Sequence, residues 1–251
     1  MSFMNIGIIT AGGSGKRMQT NDIPKQFLLV CNKPIIIYTL EHFERSKDID
    51  GIVISCLEDW IPHLKKLVDD FRISKVKEIV KGGKSGQSSI YNAILAAKKI
   101  VKDEACIVLV HDGVRPLIST ELISDSIQTV KDYGSCITTA PVNETIACVC
   151  EVDRKVKQVL DRDNLVVARA PQSFWLDELL ALHTKANNDN LHNFVDSCQM
   201  ANYYGKELEY IEGPHDNIKI TTVEDYYILR TIIQTREDKQ FMQINMGPRE
   251  I

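Results

Sequence analysis

The stretch TAGGSGKRM, Thr10 to Met18, sets three glycines beside two adjacent cations, directly after the apolar run NIGII (5–9) and ahead of the pair Pro24-Lys25. A glycine-rich turn that follows the first strand of an α/β fold lets backbone N–H groups converge on an anion, because no side chain blocks the approach. Arg17 and Lys25 can then add two fixed cations beside a polyphosphate. That arrangement suits phosphoryl or nucleotidyl transfer, where catalysis is mostly positioning and charge stabilisation. Two better-known phosphate loops are excluded. The dinucleotide fingerprint G-x-G-x-x-G needs glycine where Met18 stands, and G-x-x-x-x-G-K-[ST] fails at Thr10 and at Arg17. The same residues also suit a tight turn with two solvated cations.

Two further clusters carry charge at useful places. VLVHDGVRP (108–116) ends an apolar run in Asp112, and DNIKITT (216–222) joins a polar run to a helix start at Thr222. In open α/β sheets ligands sit beyond the carboxyl ends of strands, which would put Asp112 and the glycine turn on one rim. An aspartate there can hold Mg²⁺, which shares oxygen ligands with substrate phosphates and water; Asp216 could be a second metal contact and Lys219 a phosphate contact. The alternatives are a turn-capping Asp112 with Arg115 as its ion-pair partner, and an ordinary strand-to-helix joint at 215–222.

The elements that must position these residues alternate in type. Strand patterns at 6–10, 51–56, 76–80 and 105–110 alternate with helical patterns at 34–46, 59–71, 87–101 and 120–130, the last three strands lying about 20 to 30 residues apart. That rhythm predicts right-handed crossovers in a mostly parallel sheet covered on both faces, and the strands lack polar alternation as such burial requires. Asp59 reads as the N-cap of the second helix. After residue 135 the short strands 136–141, 145–152 and 156–160 predict a projecting β-hairpin around the turn 152–155, a lid or an arm to a second subunit. Helices at 176–185, 195–204 and 223–234 and a strand at 207–212 complete one domain over 1–236, with an arm at about 140–170 and a poorly packed tail at 237–251.

Bulk properties narrow the class. The chain has 251 residues, 44% apolar and 25% charged, with formal net charge −4. An acidic balance argues against a non-specific nucleic-acid binder, so an anionic ligand must be held by a local cluster. No apolar stretch approaches a membrane span and the N-terminus lacks a leader pattern, from which a cytoplasmic protein is expected. Seven cysteines, an odd number without a C-x-x-C pair, read as free thiols in hydrophobic runs rather than a disulfide or zinc framework.

All three clusters in this order resemble the cytidylyltransferase family that includes 2-C-methyl-D-erythritol 4-phosphate and ribitol-5-phosphate cytidylyltransferases. The resemblance runs from Ile6 to about Ile233 through AGGSGKRM (11–18), PKQF (24–27), KPII (33–36), Gly82, Gly83 and Ser89, HDGVRP (111–116), APVNET (140–145), LDRDNL (160–165), APQSF (170–174) and DNIKITTVED (216–225). It implies a Rossmann-like nucleotidyltransferase fold and a turn of Ala11, Gly12, Gly13, Ser14, Gly15, Lys16 and Arg17 around the CTP triphosphate, with Arg17 and Lys25 stabilising charge at the α-phosphorus. Gly82, Gly83 and Ser89 would read the cytosine and ribose. Asp112 with Gly113 would face CTP, and Asp112 with Asp216 would hold Mg²⁺ or another divalent cation. Lys219, Thr145 and Arg162, together with Arg115 and Thr221, would bind the acceptor phosphate. In this family the hairpin arm crosses to the neighbouring subunit, which implies a homodimer with Arg162 and Thr145 serving the partner's site. The chemistry implied is attack of a phosphate-monoester oxygen on CTP, with pyrophosphate leaving and no catalytic histidine; His111 is a packing or hydrogen-bonding group.

Seven residues separate Arg17 from Lys25, and Glu58-Asp59-Trp60 with His63, Val114, Asp196-Ser197-Cys198 and KITTV (219–223) resemble the ribitol branch. Asp161-Arg162 resembles the methylerythritol branch instead. Two positions depart from both: Gly86 replaces an arginine of GGxxR, and Ala170 replaces the threonine of TPQ, with Arg169 beside it as a substitute donor. CDP-polyols feed cell-wall, capsule or glycan synthesis and CDP-methylerythritol feeds isoprenoids. A nucleotide-binding protein without turnover is the alternative of a different class. Arg17→Ala and Lys25→Ala are each expected to lower kcat about a hundredfold in a pyrophosphate-release assay, the size of related electrostatic losses. A change confined to KM would refute that role.

Overall fold

A computed structural model describes residues 3–13 and 23–246. The elements in chain order are β1 (Met4–Ala11), the short pair β2 (Leu29–Val30) and β3 (Lys33–Pro34), α1 (Ile35–Arg45), β4 (Gly51–Cys56), α2 (Ile61–Asp70) and β5 (Val76–Lys81). They continue through α3 (Gly86–Val101), β6 (Cys106–Asp112), α4 (Thr120–Tyr133), β7 (Ser135–Pro141), β8 (Ala147–Cys150) and β9 (Lys155–Val159). The last are β10 (Val166–Trp175), α5 (Leu176–Asn188), α6 (Ser197–Tyr203), β11 (Tyr210–Glu212) and α7 (Val223–Met246).

The central sheet has the order β11-β7-β10-β6-β1-β4-β5. Pairing is parallel from β6 through β1 and β4 to β5 and between β7 and β11, while β10 runs antiparallel to both β6 and β7. Alternate residues of β1 face opposite cores, as a period of two dictates. Ile6 and Ile8 join α3 and α5 through Ile94, Ala97 and Leu179, whereas Ile9 joins α1, α2 and α4 through Phe43, Leu64 and Ile127. Both faces are therefore covered. A third cluster seats α7 on the loops beyond β6, with Leu229 and Ile233 packed among Val30, Val114 and Ile220. Hydrogen-bonding side chains set several helix starts: Ser85 forms a capping box with Ser88, and Ser119 accepts from Leu122 N–H.

Four expectations are corrected. Strand β10 was not among the expected elements, because its residues V-V-A-R-A-P-Q-S-F-W lack a clean period and contain Pro171; its pairing shifts register between Ala168 and Gln172. Asp59 does not cap α2. It lies in a 3-10 turn, Glu58–Trp60, whose Trp60 occupies the cap position without a side-chain bond. Helix α7 continues to Met246, through much of the segment read as a tail. Finally, the cysteines are free, but Cys148 on the arm is exposed whereas Cys56, Cys106 and Cys136 are buried.

The arm itself projects as expected, β8 pairing antiparallel with β9. No described helix is long and apolar enough to cross a membrane.

Gly7 lies where α1 presses hardest on the sheet: a Cβ there would stand 2.6 Å from Cδ1 of the fully buried Phe43 ring. Gly7→Val is expected to destabilise the protein by about 1–3 kcal/mol or more in urea unfolding, as overpacking of a filled core does. Wild-type stability would show that α1 does not sit this close.

Candidate functional site

Six stretches converge at the carboxyl ends of β1 and β6. Asp112 ends β6, and each of its oxygens accepts from one cation: Oδ1 from Lys219 Nζ at 2.8 Å and Oδ2 from Arg115 Nε at 2.8 Å. Burial raises the pKa of this carboxyl, but Lys219 and then Arg115 overcome that, so it stays well below the usual carboxylate range and is ionised at any working pH. Gly113 N–H donates to the carbonyl of Thr10 at 2.9 Å, which ties the loop after β6 to the end of β1. Arg115 Nη1 donates to the Asn217 carbonyl at 3.0 Å, and Asn217 Nδ2 donates to the Ala170 carbonyl at 2.8 Å. One carboxylate thus links β6, the 214–221 loop and β10.

Lys25 opens a 3-10 turn, Lys25–Phe27, and its Nζ donates to the Ile220 carbonyl at 2.9 Å. The rest of its motif explains the position. Gln26 Nε2 donates to the Ala11 carbonyl at 2.6 Å, and Phe27 is buried against Trp60, ring centroids 4.9 Å apart and stacked, with His63 at its edge. On the other side, Gly83 N–H donates to Ser89 Oγ at 2.9 Å, while Ser89 Oγ donates to the Ser85 carbonyl. A side chain at 83 would collide with Ser88, whose Oγ would be 2.1 Å from its Cβ.

Two cavities result. The first, about 360 Å³, is lined by Ala11, Gly12, Gly13, Lys25, Gly83 and Ser89 among others. The second, about 260 Å³, lies between β6, β10 and the start of α6, and includes Arg115, Arg169, Ala170 and Ser197. Thr10, Gly86, Asp112 and Lys219 line both, so the two share a wall.

The expected site residues divide accordingly. Ala11, Gly12, Gly13, Lys25, Gly83, Ser89, Asp112 and Lys219 line the first cavity, and Arg115 lines the second. Gly82 and Gly113 flank these loops, with Gly82 N–H bonded to the Cys56 carbonyl. Ser14, Gly15, Lys16 and Arg17 lie outside the described residues. Asp216 is not brought to Asp112: it pairs with Arg236 at 2.5 Å and lines a separate cavity with His42, because the 214–221 loop turns between Asp216 and Lys219. Thr221 Oγ1 bonds the Lys219 carbonyl instead of facing either cavity. Thr145 and Arg162 are exposed by the arm and line neither cavity within the single chain. Lys84, Gln26 and Gln172 line the cavities without having been singled out; the P-K-Q and A-P-Q motifs carried the only signal for the two glutamines.

A divalent cation fits this donor set through one carboxylate. Among the described residues no group of three or more His, Cys, Asp or Glu side chains gathers into a metal site. Asp112 supplies a hard oxygen beside a cavity sized for phosphates, which is the usual Mg²⁺ arrangement. Each of its oxygens accepts from one cation and keeps a second lone pair.

His111 is buried, with Nε2 3.1 Å from the Arg115 carbonyl and its ring against Phe43. Burial pulls its pKa down to about 4, leaving it neutral and structural.

Comparison with known proteins identifies the family. The family model described as IspD, 2-C-methyl-D-erythritol 4-phosphate cytidylyltransferase, matches residues 6–235. A ribitol-5-phosphate cytidylyltransferase of Vibrio parahaemolyticus is 46% identical over 237 residues, 94% of this chain and 99% of that protein. One from Streptococcus agalactiae is 43% identical, covering 94% and 98%. Among solved structures, 4-diphosphocytidyl-2C-methyl-D-erythritol synthase from Anaerococcus prevotii is similar with a TM-score of 0.79 at 25% identity, over 92% of this chain and 96% of that one.

Burial also lowers the pKa values of His42 and His183 to about 4. Between pH 6.5 and 4 the unfolded chain binds protons at these imidazoles and at His111 that the folded chain refuses, so stability must fall as pH drops through that window. The thermal midpoint is expected to decline from pH 6.5 to 4, and His183→Leu to reduce the slope. A flat profile would contradict the burial.

Proposed function

We propose ribitol 5-phosphate as the acceptor, and the premise is this: the chain belongs to the IspD family of cytidylyltransferases, nucleotidyltransferases by reaction class. A phosphate-monoester oxygen of the acceptor attacks the α-phosphorus of CTP in line, the new P–O bond forms, the α–β bridging bond breaks and pyrophosphate leaves. The product is CDP-ribitol. No general base is needed, since a phosphate monoester with second pKa near ~6 is already largely dianionic at neutral pH.

The observation that carries this reading is the shared wall. CTP occupies the cavity lined by the glycine turn, Lys25, Gly83 and Ser89; the acceptor occupies the cavity beside Arg115 and β10; and the reacting phosphate lies where the two meet, at Lys219 and Asp112. Lys25 and Lys219 stabilise charge that builds in the transition state, with Arg17 as a third cation. Asp112, at the shared wall, would hold Mg²⁺, whose chemistry when bound is to neutralise triphosphate charge. Similarity over 94% of the chain to ribitol-5-phosphate enzymes favours ribitol. The second reading, 2-C-methyl-D-erythritol 4-phosphate, is favoured by the family description and by the solved relative.

The enzyme acts as a homodimer in the cytoplasm. Support for the dimer comes from the arm, where Val149, Val152, Val156 and Val159 are all exposed and ask for a covering surface. Arg162 and Thr145, solvent-facing in one chain, then reach the partner's acceptor phosphate.

Purified protein with CTP and Mg²⁺ is expected to release pyrophosphate fastest with ribitol 5-phosphate, among ribitol 5-, methylerythritol 4- and glycerol 3-phosphates. Faster turnover of methylerythritol 4-phosphate would select the second reading, and release with none would indicate a nucleotide-binding protein. Mixing inactive Lys25→Ala and Arg162→Ala proteins is expected to restore part of the activity; no recovery would refute the shared site.

A further inference from the structure

The acceptor cavity contains two arginines held side by side. Arg115 Nη1 and Arg169 Nη1 both donate to the Asn217 carbonyl, at 3.0 and 3.4 Å, and Arg169 Nη1 also reaches the carbonyls of Pro214 and His215. Arg115 has Asp112 as its counter-ion. Arg169 has no carboxylate within ion-pair distance among the described residues, and its Nε and Nη2 make no hydrogen bond to them. Burial, then the charge of Arg115, lowers its pKa, and Asp216, beyond ion-pair distance, acts the other way.

The other polar groups around this cavity are already spent. Gln172 Nε2 donates to the Arg169 carbonyl and to Asp196, and Gln172 Oε1 accepts from Cys198 N–H. Asp196 also caps α6 by accepting from Gln199 N–H. His111 Nε2 is taken by the Arg115 carbonyl. Ala168, Ala170 and Val195 offer only apolar surface. Apart from His111 Nδ1, which is likewise buried without a partner, Ser197 is the exception. It is 1% exposed, lines the cavity, and its Oγ has no partner in the protein. A buried hydroxyl left unpaired costs free energy unless a ligand satisfies it.

Catalysis fixes which end of the acceptor meets these groups. The acceptor phosphate must touch the α-phosphorus of CTP, so it stays at the wall shared by both cavities, and its carbon chain fills the second cavity away from the nucleotide. We propose that Arg169 and Ser197 bind the chain hydroxyls of the acceptor and set its specificity: the guanidinium donates to hydroxyl oxygens along a linear polyol, and Ser197 bonds a further hydroxyl. A chain with a hydroxyl on every carbon satisfies both groups. A methyl branch set against Arg169 would desolvate the guanidinium without a bond, and a three-carbon chain would leave both groups unmet. This specificity rests on the cytidylyltransferase reading above.

The test compares ribitol 5-phosphate with glycerol 3-phosphate, the latter as substrate or, if not turned over, as competitive inhibitor. Wild-type turnover of ribitol 5-phosphate is measured first; its absence would overturn the proposed function before any variant is made. With it present, Arg169→Met is expected to raise KM for ribitol 5-phosphate about tenfold or more, the range for bonds to a charged donor, while KM for CTP and the constant for glycerol 3-phosphate stay within about twofold. Ser197→Ala is expected to raise the ribitol 5-phosphate KM several-fold yet leave the thermal midpoint of the free enzyme equal or higher, since an unpaired hydroxyl is removed. Equal losses for both phosphates in Arg169→Met, or an unchanged ribitol 5-phosphate KM in both variants, would overturn the assignment.

Discussion

The site depends on one ionised carboxylate held between two cations. Asp112 is three-quarters or more withdrawn from solvent, with a side-chain exposure of 20%, and a charge so placed persists only when paired. Lys219 and Arg115 pair it from different directions, and each is anchored in turn: Arg115 to the Asn217 carbonyl, Lys219 by its place in the loop whose Ile220 N–H donates to the Val114 carbonyl. The 214–221 loop, distant in sequence from β6, is thereby fixed against it. Lys25, through the Ile220 carbonyl, is fixed to the same loop. Three cations and one carboxylate make a local excess of positive charge in a protein whose net charge is −4, which is what a triphosphate and a second phosphate require of their host.

The scaffold behind this cluster is less visible but equally constrained. Lys25 belongs to a one-turn helix that could not hold its place alone; Gln26 and Phe27 hold it by a buried bond to Ala11 and by stacking on Trp60. Trp60 and His63, two of the residues that resemble the ribitol branch, pack on Phe27 and line neither cavity. The second cavity lies elsewhere, along β10 and the start of α6.

That second wall is built from a strand that runs against its neighbours. The antiparallel β10 sets Gln172 opposite Val110 and carries Arg169 past the end of β6, and Gln172 ties the strand to α6 through Asp196 and Cys198. The buried thiols take no part in this: burial raises Cys56 and Cys106 to about 12 and Cys136 to about 11, leaving them protonated core groups.

Local pattern determined what is local. Apolar runs without alternation announced strands covered on both faces, turn residues announced the arm, and the glycine turn announced a phosphate site, while HDGVRP and DNIKITT pointed to a nucleotidyltransferase through their family resemblance; each signal is carried by neighbours in sequence. Only the tertiary structure decided what depends on distance through space. It sent Asp216 to Arg236 although it stands three residues from Lys219, because a turn separates their directions. It inserted β10 between β6 and β7, a pairing chosen by the core rather than by the strand's own irregular sequence. It also brought Arg169 beside Arg115 and buried the hydroxyl of Ser197 unpaired at the same cavity, since no one-dimensional spacing records which polar groups the folded chain leaves unsatisfied.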